Sequence, residues 1–231
     1  MPPNPNVVLV HGAWADGSIW SRVIPLLQEK DYPVTAIQLP LTSLADDVAT
    51  TRRFLESRER YTVLAGHCYG GAVISLAAVG ASHVVSLVFA AAFAPDEGET
   101  LNDLNKPAGP GQAYLRPDDR GFLWIDPEGF HEAVAADVDR TTARVMAAVQ
   151  KPIAARIFGE KAGRPAWLST PSSYLISEND RIIPADTQRS MAERMRASLT
   201  VLPASHASPV SRAQDVAQAI MDAARMRAGA H

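Results

Sequence analysis

The chain has 231 residues, 47% of them hydrophobic and 20% charged, with a formal net charge of −3 and a single cysteine, Cys68. That composition excludes a disordered, collagen-like or disulfide-stapled chain. With no basic patch, no nucleic-acid partner is expected, and one domain of ordinary α/β size is.

The run 7–10, Val-Val-Leu-Val, is continuous and mostly β-branched, so it predicts a strand buried on both faces. A turn follows at His11-Gly12-Ala13-Trp14, and Asp16 or Ser18 can cap a helix reaching about residue 29. A second strand is expected over 32–37, ended by Pro40. A helix over 43–59 then carries Leu44, Val48, Thr51, Phe54 and Leu55 on one face, with Ser43 as its cap. Residues 61–65 predict a third strand, 70–81 a small-residue helix and 84–89 a fourth strand.

The alternation then stops. Residues 95–170 are rich in Pro, Gly and Asp, with helical patches expected at 130–136 and 141–158. A stretch this long between strands is usually a lid with a function. Alternation resumes with a strand at 173–176, a helix from Pro184 to about 197, a strand at 199–202 and a closing helix over 210–226. Six strands alternating with helices predict an α/β fold: a mainly parallel six-stranded sheet with helices on both faces. Its chemistry belongs in loops at the carboxyl ends of the strands.

Those loops hold a recognisable set. After the third strand comes Gly66-His67-Cys68-Tyr69-Gly70-Gly71, a G-x-nucleophile-x-G turn between strand and helix, with Cys where Ser is usual. Glycines two before and two after the nucleophile let a strained turn close on itself. Glycine at position 12 lets the next amide face the nucleophile, so the Ala13 and Tyr69 N–H groups are the candidate oxyanion hole. Asp180, after the fifth strand, is the candidate acid, with Asp186 as fallback, and His206, after the sixth, is the candidate base. Trp14, Phe93, Tyr114 and Trp124 are candidate substrate-binding walls. His11 and His67 are read as structural histidines hydrogen-bonded near the site.

Together HGAWADGSIW, GHCYGG, ENDRIIP and the His206 loop resemble the α/β-hydrolase superfamily, and within it the small esterase branch of plant methylesterases and hydroxynitrile lyases. The resemblance implies an α/β-hydrolase core over 1–93 and 171–231 and a cap inserted over 94–170. It implies a catalytic Cys68-His206-Asp180 triad that hydrolyses small carboxylic esters through a thioester acyl-enzyme. Most of the family has Ser at the nucleophile, although dienelactone hydrolases of the same fold use Cys. Cys68 is therefore open to two readings: a natural thiol nucleophile, or a replacement in a serine esterase. Acyl transfer is a close variant. A hydroxynitrile-lyase activity ranks lower, because Gly12 and Ala207 stand where those relatives keep a hydroxyl residue and a lysine. A non-catalytic ligand-binding protein ranks lower too.

No cofactor and no metal are expected, since no G-x-G-x-x-G follows the first strand and no P-loop or H-E-x-x-H is present. The expected partner is a small-molecule ester. No run is long enough to span a bilayer, so no membrane partner is expected. The first six residues carry no secretory pattern, and a cytoplasmic location is expected. Oligomeric state stays open.

Overall fold

The computed structural model describes residues 4–225; Met226, at the end of the expected closing helix, lies outside them. Strand β1 (Asn6–Val10) has Val7 to Val10 fully buried, as its unbroken apolar run requires. The helix expected after it comes in two pieces, a 3-10 turn Gly17–Trp20 and helix α1 (Val23–Gln28). Pro25 is the reason. A helix running through from residue 17 would need a Pro25 N–H, whereas in the first turn of α1 the proline is tolerated. Asp16 still caps the 3-10 turn, accepting from the Ser18 N–H at 2.7 Å.

Strand β2 (Val34–Ile37) leads to helix α2 (Leu44–Glu56), where the Ser43 hydroxyl accepts from the Asp46 N–H at 3.0 Å. Strand β3 (Thr62–His67) is buried at every residue. Helix α3 (Gly70–Ala77) and strand β4 (Val84–Ala90) follow.

The long segment after β4 holds helix α4 (Leu101–Leu104) and three short strands, β5 (Leu115–Pro117), β6 (Phe122–Ile125) and β7 (Ile153–Ala154), with α5 (Phe130–Val134) and α6 (Arg140–Val149) between the last two. The strands form a separate antiparallel sheet in the order β5-β6-β7. This sheet is absent from the sequence reading, and the helix expected over 141–158 stops at Val149, ahead of Pro152. Asp118 organises the β5–β6 turn: its carboxylate accepts from the Arg120 and Phe122 N–H groups, each at 2.9 Å.

Strand β8 (Ser172–Ser177), helix α7 (Ala185–Arg194), strand β9 (Ser198–Leu202) and helices α8 (Ser208–Ser211) and α9 (Ala213–Arg225) complete the core. The main sheet runs β2-β1-β3-β4-β8-β9, and every pair in it is parallel. From β1 the chain steps outward to β2, then returns past β1 to β3. The loops after β1 and β3 therefore part at the sheet's switch point, where a crevice opens beyond the carboxyl ends. Right-handed crossovers put α1 on one face, where it packs with α9, and α2 and α3 on the other.

The crossing of α3 over β1 is closest at Gly70, where a Cβ would lie 2.5 Å from the Val10 carbonyl oxygen and 2.7 Å from that of His11. Gly70→Ala is expected to cost about 1–3 kcal/mol, read as a lower urea midpoint at unchanged slope. Gly163→Ala, whose Cβ would meet nothing nearer than Leu76 at 4.0 Å, is expected to stay within about 0.5 kcal/mol of the parent.

Candidate active site

Cys68 sits at the turn between β3 and α3 with φ 53°, a left-handed backbone that is strained for a side-chain-bearing residue. The turn closes because its flanks lack Cβ atoms: one on Gly66 would stand 2.6 Å from the Gly70 carbonyl oxygen. The loop after β1 comes equally close. A Cβ on Gly12 would lie 2.4 Å from the Cys68 Cβ and 3.1 Å from Sγ. Ala13 and Tyr69, the residues following Gly12 and Cys68, line one cavity with Cys68. Among the described residues their amides are not engaged by turn bonds.

The structure brings the candidate acid, Asp180, and the candidate base, His206, together. His206 Nδ1–H donates to Asp180 Oδ2 at 2.8 Å, with both side chains buried. Asp180 Oδ1 accepts from the Ile182 and Ile183 N–H groups at 2.7 and 3.0 Å, and Oδ2 accepts again from Gln188 Nε2 at 2.9 Å. Four donors thus offset the burial of one carboxylate. Asp186 lies exposed in the first turn of α7, away from this cluster. Gln188 was not legible as a site residue. Its amide also bonds the Ser177 N–H and the Ile183 carbonyl, so α7 grips the loop that carries Asp180. His206 Nε2 is buried, and among the described residues no nitrogen or oxygen partners it. Burial opposes charge on this ring, but the negative charges of Asp180 and then Cys68 outweigh it and push the imidazole up to about 10.

The other two histidines hold the loops. His11 Nε2 accepts from the Leu39 N–H at 2.9 Å, so the proton sits on Nδ1, which donates to the Gly12 carbonyl at 2.9 Å. His67 Nε2–H donates to the His206 carbonyl at 2.8 Å, with the two rings 4.8 Å apart. Burial first of all lowers His11 to about 4 and His67 to about 3, so both are neutral at pH 7. Tyr69 is anchored by its hydroxyl, which donates to buried Asp47 at 2.6 Å; Asp47 in turn accepts from the Leu41 N–H at 2.8 Å. This anchor, on α2, had no motif to announce it.

The inserted segment lies against the site. Trp14, at φ 55°, donates from Nε1 to the Leu123 carbonyl of β6 at 3.0 Å and stacks on Phe158. Gly111 N–H donates to the Arg181 carbonyl at 2.7 Å, and Ala207 N–H to the Val134 carbonyl at 3.0 Å. Trp14 and Phe93 line the cavity that holds Cys68. Tyr114 and Trp124, expected beside them, line neither cavity at the site. The Tyr114 ring covers Gly129 and its hydroxyl bonds Glu132, while the Trp124 indole turns outward to Asp118. Phe158, Leu115 and Leu123 occupy the wall instead. Among the described residues no group of three His, Cys, Asp or Glu side chains is placed to hold a metal, and no helix is long and apolar enough to cross a membrane.

The neutral histidines set a pH dependence. Unfolded, His11 and His67 bind protons below about pH 6.5; folded, they resist until about 4 and about 3. The unfolded state therefore gains protons as the pH falls, and stability declines from about pH 6.5 downward. His206, raised rather than lowered, is protonated in both states there and adds no slope. Urea unfolding is expected to lose about 2 kcal/mol between pH 6 and 5, and about half of that in His11→Gln. A flat profile over this range would overturn the assignment of both rings as neutral.

Comparison with known proteins agrees with this fold. The model of the Alpha/beta hydrolase family matches residues 7–219. A pyrethroid hydrolase from Sphingobium wenxiniae is 28% identical over 94% of this chain and 86% of its own length. Methylesterase 8 of Arabidopsis thaliana is 24% identical, covering 85% of this chain and 80% of its own. The crystal structure of a pyrethroid hydrolase from Sphingobium faniae superposes with a TM-score of 0.84 at 25% identity, over 97% of this chain and 98% of that one. By its sheet, its elbow turn and the family match over nearly its whole length, the chain belongs to the Alpha/beta hydrolase family.

Proposed function

We propose that the chain hydrolyses small carboxylic esters with Cys68 as nucleophile, His206 as acid and base, and Asp180 as the group that orients and charges His206. The observation that carries this reading is the buried 2.8 Å contact between His206 and Asp180, on a ring that Cys68 also acts on. Relatives named as a pyrethroid hydrolase and methylesterases support the ester bond as the target. The segment 94–170 acts as the cap. A single thiol suits a reducing, cytoplasmic setting.

The raised affinity of His206 for protons suits it to take the proton of the Cys68 thiol. Sγ attacks the ester carbonyl carbon, and a C–S bond forms as the carbonyl electron pair moves to oxygen. The Ala13 and Tyr69 N–H groups meet that oxyanion, and the α3 N-terminus adds to the favourable field. The intermediate collapses: the C–O bond breaks, His206 gives its proton to the departing alkoxide, and a thioester remains. Water then loses a proton to His206 as it attacks the thioester carbonyl. The C–S bond breaks, releasing the acid and returning Cys68 and His206 to their starting states.

Sustained turnover of p-nitrophenyl acetate and butyrate is expected, falling on the order of 10⁴-fold or more in Cys68→Ala. Asp180→Asn is expected to lose about 10³–10⁴-fold. Aryl esters are expected to outpace matched alkyl esters, because the longer C–S bond displaces the carbonyl oxygen from an oxyanion hole placed for a serine adduct, and an aryloxide, the better leaving group, depends less on that stabilisation. A single burst that stalls, with sustained turnover only in Cys68→Ser, would show that Cys68 traps the acyl group. Equal rates in the parent, Cys68→Ser and Cys68→Ala would remove the triad assignment.

A further inference from the structure

Two cavities share the wall made by Ala13 and Trp14. The first, about 160 Å³, reaches His206 and is lined by Ile19, Phe130, Val145, Met146 and Val149. Val145 and Val149 are 58% and 47% exposed, so aliphatic side chains meet solvent at its edge. The charged groups along it are engaged elsewhere: Arg22 bonds Thr142 at 3.3 Å and pairs with Asp139 at 3.6 Å, and Asp16 caps its own turn. The second cavity, about 130 Å³, reaches Cys68 and carries three carboxamides, Asn102, Asn105 and Gln112. One of these residues, Asn105, has an Oδ1 that is buried and without a hydrogen-bond partner. A buried acceptor left unpaired costs free energy that a donor on a ligand would recover.

The roles of Cys68 and His206 assign the halves of a substrate. The leaving oxygen takes its proton from His206, so the alcohol departs into the first cavity. The acyl group is bonded to Sγ and stays in the second. We infer that the substrate is an ester joining an apolar alcohol of about single-ring size to a short acid that carries a hydrogen-bond donor such as a hydroxyl. This rests on the hydrolase reading given above and adds the substrate class to it. The size follows from volume, since an aliphatic cavity of about 150 Å³ holds one benzene ring. The polarity follows from Asn105, because a site built to bond a hydroxyl discriminates against the analogue lacking it.

Two kinetic ratios and one binding measurement test this. The benzyl ester of 2-hydroxypropanoic acid is expected to exceed its methyl ester in kcat/KM by about tenfold or more, and Val145→Trp, which fills the first cavity, brings that ratio toward one. Phenyl 2-hydroxypropanoate is expected to exceed phenyl 2-methylpropanoate, its isostere, by about tenfold. Asn105→Leu, or Asn105→Ala where leucine does not fold, cancels most of that preference. Ratios near one in the parent, or ratios unmoved by these variants, overturn the inference while leaving ester hydrolysis intact. The binding arm uses Cys68→Ala and ligand-observed NMR with benzyl alcohol and 2-hydroxypropanamide. Both are expected to bind at once, the alcohol failing in the Val145→Trp background and the amide in the Asn105→Leu background. Competition between the two ligands, or no binding of either, also overturns it. If no ester is turned over, the hydrolase reading fails, and the binding arm alone decides which groups the two cavities accept.

Discussion

The structure depends on how closely two backbone loops approach at the sheet's switch point. Gly12 packs against the Cys68 side chain at a distance that leaves no room for a methyl group, and Gly66 and Gly70 close the turn that holds Cys68 at φ 53°. Van der Waals repulsion between these atoms is steep. The relative position of the thiol and the Ala13 amide is therefore fixed by packing rather than by an adjustable hydrogen bond. The sheet makes this approach possible: β1 and β3 are neighbours whose loops leave on diverging paths. Strain at Cys68 is retained because β3 on one side and α3 on the other over-determine its backbone.

Buried polar groups then tune what packing has placed. Asp180 receives four donors, which keeps a carboxylate in a dry setting and lets it act on His206 undiluted by water. His11 and His67 work in the opposite sense. Each uses its ring as a neutral donor–acceptor bridge, one holding the Gly12 carbonyl and the other the His206 carbonyl. Three buried imidazoles in one site thus carry different protonation states, and the difference follows from whether a carboxylate stands beside the ring. Asp47 plays a similar part for the Tyr69 side chain, tying α2 to the turn that bears Cys68.

Much of this is legible in the sequence, for a physical reason. Central parallel strands are buried on both faces, so they appear as unbroken apolar runs, and β1, β3, β4 and β8 stand close to where those runs lie. The elbow is legible because steric demand writes glycine at fixed offsets. Asp180 and His206 are legible because each directly follows a strand. The rest is decided by packing over long sequence distances. Strands β5, β6 and β7 are two to four residues long and carry no period. Tyr114 and Trp124 read like Phe93 in the sequence, yet only Phe93 faces the thiol, because Gly129 and Asp118 draw the other two away. Helix α7 ends sooner than its pattern, with Arg196 in a left-handed conformation that apolar spacing does not encode.

The Trp14 indole bonds a carbonyl 109 positions further along the chain, and His67 bonds one 139 positions away. Contacts of that span each carry the entropy cost of closing a long loop, a cost that grows only slowly with its length. The turns after β1 and β3 meet because those two strands are paired. His206 has its seat only with the loop after β9 in place, through its carbonyl on the His67 ring. The surroundings of Cys68 are thus knotted together from the beginning, the middle and the end of the chain, and a disturbance in any of the three reaches the same place.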